Sequence, residues 1–211
     1  MTPRRWVVAW ALAYDVLHHL GALPGGLGDA GGGTRRVDWI TLLTPYAVVG
    51  CALAALRAAG TDRHGWTTAL VGAGLYVQGH ALDLAANSIG NARGGGAPVH
   101  LWDEVVGHRL WYAGLGLLVV ALARAVDAAA GPVALLLAAA TGLTWTTNAL
   151  EGTTAVGSLA VAAALAGWGW RRRAEGTGRL LLVAFGTSAA LLTAYGLWHL
   201  GFPAPSGAGG R

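Results

Sequence analysis

LWDEVVGHRLWYAGLGLLVVALARAV, residues 101–126, joins two kinds of sequence in one run. From Leu110 to Ala123 it carries no charged side chain, whereas Asp103, Glu104, His108 and Arg109 crowd its first third. As a helix rising about 1.5 Å per residue it is long enough to cross the roughly 30 Å hydrocarbon layer of a bilayer. The stretch therefore reads as a membrane span whose carboxylates and histidine all lie toward one end, with Arg124 at the other.

Six further apolar stretches surround it: Trp6–Leu23, Trp39–Ala59, Trp66–Ile89, Pro132–Leu150, Thr153–Trp170 and Leu180–Leu200. With Leu101–Val126 they predict an all-α, multi-pass membrane protein of seven spans, a single domain over residues 1–211 with a mobile tail at 201–211. Asp15, His18 and His19 interrupt the first stretch, so it reads as a retained helix rather than a signal peptide. Pro24-Gly25-Gly26, Gly31-Gly32-Gly33 and Gly94-Gly95-Gly96 have the composition of connectors. The fifth and sixth stretches are joined only by a short turn at Glu151-Gly152. Small-residue pairs such as Gly72/Gly74 and Gly114/Gly116 suit close helix packing.

Composition agrees. The chain is 55% hydrophobic and only 11% charged, against about 25% charged in soluble domains, and its mean hydropathy is +0.51. That excludes a disordered chain and argues against a soluble enzyme or a nucleic-acid partner, despite a net charge of +4. The bilayer is the expected partner, and basic loops then set orientation. Arg4, Arg5, Arg57, Arg63, Arg124, Arg171, Arg172, Arg173 and Arg179 collect on one side of a seven-span chain, and Arg35, Arg36, Arg93 and Arg211 on the other. This predicts a cytoplasmic N-terminus and an external C-terminus, in a prokaryotic-type plasma membrane. Lysine is absent, which excludes a Schiff base and with it a retinal protein; the lone Cys51 excludes an internal disulfide.

The polar residues cluster by depth. His18 and His19 with Asp15, His80 and Asp83 with Asn87, and His100, Glu104 and His108 with Asp103 all fall in the outer halves of their helices, and His199 ends the last one. His100, Glu104 and His108 are four apart and stack along one side of an α-helix; His80 and Asp83 share a face of theirs. Buried charges of this kind line functional cavities or pair with one another. Histidine with carboxylate is the ligand set of zinc, iron or copper. The expected metal ligands are thus His80, Asp83, His100, Glu104 and His108, completed by His199, His18 or His19, with Glu104 or Glu151 as general base. The expected chemistry is metal-dependent hydrolysis, or iron or copper oxidation, of a lipid-like or hydrophobic substrate. The alternatives are a proton or metal-ion transporter and a haem-bearing redox subunit using His80 and His108. Asp103 is expected to face solvent or a neighbouring helix end, and Arg109 to pair with Asp83. His64 lies in an inner polar loop and is assigned no role.

Seven-helix hydrolases of the alkaline ceramidase and adiponectin-receptor type also place histidines and carboxylates around zinc. They carry two histidines four apart on the last helix, and a serine and a histidine on the second. Here the last helix has only His199, and the second has only Thr41 and Thr44, so no kinship is assigned.

Overall fold

A computed structural model describes residues 1–20, 23, 27–93 and 96–203; Pro24-Gly25-Gly26, Gly94-Gly95 and residues 204–211 of the expected tail lie outside the described residues. Seven helices dominate the described chain: α1 (Pro3–Leu20), α2 (Arg36–Ala59), α3 (Arg63–Arg93), α4 (Ala97–Ala125), α5 (Pro132–Glu151), α6 (Ala155–Arg171) and α7 (Gly176–His199). Each corresponds to one apolar stretch of the sequence. The connector between α1 and α2 forms a small antiparallel hairpin, β1 (Asp29–Gly31) and β2 (Thr34–Arg35). Its turn residues Gly32 and Gly33 have φ of 63° and 78°, the left-handed pair that a two-residue hairpin loop requires.

Local chemistry sets several helix ends. α5 opens on Pro132, where a missing N–H leaves no bond unmade. Near the start of α2, Asp38 accepts the backbone N–H of Arg35 at 2.8 Å and pairs with its guanidinium at 2.9 Å.

Four helices, α2, α4, α5 and α7, are long and apolar enough to cross a membrane. α1 holds Arg4, Arg5 and Asp15 within 18 residues, and α6 is only 17 residues long. Leu43, Leu136, Val156 and Leu197 are each more than 60% exposed, a surface that suits lipid tails better than water. α4 is the most enclosed of the four, with 61% of its apolar window buried against 28–44% for the others. It is the central helix.

α4 lies against α3, α7 against α5 and α6, and α1 against α2 and α5. The α3–α4 contact is backbone on backbone. A Cβ added to Gly72 would meet the Gly114 carbonyl at 2.8 Å, one on Gly79 would strike Trp111 N and Gly107 O, and one on Gly107 would meet Asp83 N at 3.1 Å. Each helix thus offers two glycines seven residues apart, and the antiparallel pairs seat them on each other. Gly74 faces open space and Gly116 makes only an ordinary contact.

The helices alternate in direction. At one end Arg4 Nε donates to the Asp127 carbonyl at 2.9 Å, and Thr177 Oγ1 donates to the Val126 carbonyl at 2.8 Å. The starts of α1 and α7 therefore meet the end of α4. At the opposite end Gly152, just after α5, rests on His108 near the start of α4. Trp145, Tyr14, Tyr76 and Phe185 fill the core between these ends.

Candidate metal centre

The glycine contact between α3 and α4 decides which side chains meet. With Gly79 against Gly107, the flanking residues His80 and Asp83 on α3 and His108 and Trp111 on α4 are pressed into one region. The winding of α4 does the rest. Leu101–Gly107 is a π-helix, with bonds from i to i+5. In a regular α-helix residues five apart lie about 140° apart around the axis. The wider π turn brings Asp103 and His108 to the same side.

His108 is held in one tautomer. Its Nδ1 donates to the Asp103 carbonyl at 2.9 Å, so Nε2 carries the lone pair and points it toward Asp83, whose Oδ1 is 3.7 Å away. One ligand atom each from Asp83, Asp103 and His108 lies within 4.8 Å of the other two. Two carboxylates and an imidazole lone pair repel one another unless a cation or a proton lies among them. The donors are nitrogen and oxygen, which suit a divalent transition metal, and three protein ligands leave a fourth position open. An imidazole whose other nitrogen donates to a backbone carbonyl is the usual posture of a metal-binding histidine.

The His108 ring is seated by its neighbours. Trp111 stacks on it at 5.3 Å between centroids, and Gly152 fits against it only because it has no side chain. Glu104 is half-buried, and its Oε2 is enclosed with no hydrogen-bond partner among the described residues. It lies within electrostatic reach of Asp103, His100 and Glu151. Glu151 is exposed at the end of α5.

The other anticipated ligands go elsewhere. His80 pairs with His18, Nε2 to Nε2 at 3.2 Å, and its ring stacks on Trp111 at 3.8 Å. His19 is exposed, with Nδ1 donating to the Asp15 carbonyl at 2.7 Å. His100 is exposed, because the π turn breaks the four-residue stack that an α-helix would have built through Glu104 to His108. His199 packs on Tyr195, one turn back on α7. Arg109 is exposed, and Asp83 faces His108 instead of it. Asp15 is buried in a separate polar knot between α1 and α5, where Thr141 and Thr144 donate to its two oxygens at 3.2 and 3.3 Å. Trp111 lies against both His80 and His108, so an indole fills the place that a haem between those rings would need.

Asp103 is the residue that sequence reasoning missed. The signal available was weak: adjacent acids at 103 and 104 lie about 100° apart on a helix, so both cannot face the same water.

An apolar cavity of about 240 Å³ lies at the far end of the bundle, walled by residues such as Trp10, Val119, Ala138 and Phe185, with Arg4 among its lining residues. It is not part of the carboxylate cluster. No protein-family model matches the chain, and no match was found among curated proteins or solved structures.

Proposed function

We propose that the chain is an integral membrane metalloprotein in which Asp83, Asp103 and His108 hold one divalent transition metal ion. The observation that carries this reading is the convergence of two carboxylates on the Nε2 lone pair of a histidine whose Nδ1 is bonded to a backbone carbonyl. All seven helices are taken as spans, with the N-terminus in the cytoplasm and the centre in the outer half of the bilayer. The alternating helix directions support that arrangement.

The chemistry proposed is metal-dependent hydrolysis of a hydrophobic or lipid-like substrate. A bound metal supplies an activated water at its open position. Glu104, with its enclosed and unpartnered oxygen, would accept the proton of that water. Leu101 and Trp102 are about half exposed beside Asp103, which gives a substrate arriving through lipid an apolar approach.

The test is elemental analysis of the full chain, purified in mild detergent without chelators or added metal. Close to one metal ion per chain is expected, zinc first and iron or manganese as its substitutes, lost in His108→Ala and Asp103→Asn and retained in His64→Ala. Hydrolysis of ester and amide lipids should then stop in Glu104→Gln with metal content unchanged. Equal metal in the parent and in a Asp103/His108 double variant would end the metal reading. Full metal occupancy with no turnover of any lipid ester or amide would turn attention to ion transport, measured as flux in liposomes.

A further inference from the structure

The apolar cavity where α1 and α7 begin has a direction. Its walls run from Arg4 to Ala11 on α1, from Ala134 to Thr141 on α5 and from Thr177 to Phe185 on α7, and the end of α4 from Val119 to Val126 completes them. At about 1.5 Å per helical residue these walls are roughly 10–12 Å long. Ala11, Ala123, Ala138 and Ala184 stand where larger side chains would close the space. A dry apolar cavity of about 150 Å³ takes a benzene molecule; at about 240 Å³ this one has room for a longer hydrocarbon. The wall hydroxyls are accounted for: Thr141 reaches Asp15 and the Leu137 carbonyl, and Thr177 donates to the Val126 carbonyl. Trp10 is different, since its Nε1 is buried with no partner among the described residues.

Arg4 is shared between this cavity and a second recess, lined by Thr2, Asp127 and the ends of α2 and α4. Its side chain is exposed, its Nε donates to the Asp127 carbonyl at 2.9 Å, and no carboxylate among the described residues pairs with its terminal nitrogens. Asp127, the carboxylate of the recess, lies within electrostatic reach of Arg172. A dry slot thus leads to a guanidinium that is free to take an oxyanion, and arginine suits phosphate in particular. We propose that the cavity takes one acyl chain of a phospholipid from the leaflet on that side, with the lipid phosphate on Arg4. Tail and head chemistry are then matched by adjoining surfaces, and the ester carbonyls bring acceptors of the kind that the Trp10 N–H lacks. The site rests on the chain being in a membrane and not on the carboxylate centre, which lies toward the other end.

The test uses the full chain, stripped of lipid in mild detergent and titrated with dioleoyl phosphatidylglycerol, the bound lipid being counted by native mass spectrometry. One tightly held phospholipid is expected in the parent. Arg4→Gln should weaken it about tenfold, the loss of one charge-assisted hydrogen bond. Arg5→Gln, in the same turn but outside both recesses, should leave it unchanged. Ala138→Phe fills the cavity and should abolish tight binding. A readout that needs no variant is a phosphatidylglycerol with a photoreactive diazirine midway along one chain, which should label residues 119–126, 134–141 or 177–185 in the parent. Label confined to lipid-facing residues such as Leu43 and Leu197 would mean ordinary bilayer contact and overturn the proposal. So would equal losses in Arg4→Gln and Arg5→Gln, or dioleoylglycerol bound as tightly as the phospholipid. Inorganic phosphate alone should not bind measurably; binding as tight as the lipid's would make this a site for a free anion and overturn the proposal as well.

Discussion

His108 is fixed from three directions: its Nδ1 by the Asp103 carbonyl, one face by Trp111, and its edge by the Gly152 backbone. A side chain at position 152 would push the ring off this seat. Gly152→Ala should therefore reduce zinc affinity by roughly tenfold or more and lower stability by about 1–3 kcal/mol through overpacking, read by chelator competition and thermal melting. An affinity equal to the parent's would mean that the turn after α5 can yield without disturbing the ring. Buried polar residues outside the cluster should behave differently. Thr144 is fully buried and donates to Asp15, and a hydrogen bond to a charged group is worth about 1.5–3 kcal/mol. Thr144→Val should cost about that much stability while leaving zinc content unchanged; loss of zinc would tie Asp15 to the centre. Such distinctions were only partly open to the sequence. The residue types and their shared depth marked Asp83 and His108 as candidate ligands, and the structure brings those two together, but nothing in the chain announced that His80 would turn to His18.

The π segment of α4, Leu101–Gly107, is the element on which the site depends. A π turn is in effect one extra residue in an α-helix. It left the apolar periodicity of residues 110–123 untouched, so the span itself was legible. It changed only the register upstream of His108, and there the α-helical stack of His100, Glu104 and His108 failed. The glycine contacts were half legible for a related reason. Gly72 and Gly114 were visible as small residues, but their pairing, and the second pair Gly79 and Gly107, follow from the antiparallel approach of two helices. The register argument can be tested in both directions. Deleting Val105 would leave Asp103 four residues before the histidine, on one face of a regular α-helix, and should keep zinc. Inserting an alanine after Val105 should rotate Asp103 away and lose zinc. Helix content by circular dichroism should be nearly the same in both. Zinc retained by both, or lost by both, would show that the π turn does not set the ligand geometry.

Across the whole molecule, most of the arginines and the carboxylate cluster occupy opposite ends. Arg4 reaches the Asp127 carbonyl and Arg172 the Ala123 carbonyl, and residues 58 and 59 at the end of α2 gather beside Arg4 and Asp127. The arginine-bearing ends of α1, α2 and α4 and the turn between α6 and α7 are thus one face of the bundle. In that turn Arg172 also pairs with Glu175, and Arg173 covers the ring of Trp170 at 4.5 Å, the amphipathic company expected at a membrane surface. His108, Asp83 and Asp103 lie toward the opposite end. If the arginine bias sets orientation, that end faces outward. A reporter fused after Arg211 should then be accessible only from outside, and one inserted at Asp62, between α2 and α3, only from inside. The same orientation governs the metal. In sealed right-side-out vesicles a chelator that does not cross membranes should strip zinc from the parent, since the centre opens to the external face. In inverted vesicles the bundle and its apolar inner half stand between chelator and metal, and zinc should persist until detergent is added. Stripping from inverted vesicles alone, together with an exchanged reporter pattern, would reverse the orientation while leaving the ligand set intact. Stripping from inverted vesicles with the reporters as expected would instead require an aqueous route through the inner half, which is the geometry of a carrier rather than of a one-sided enzyme.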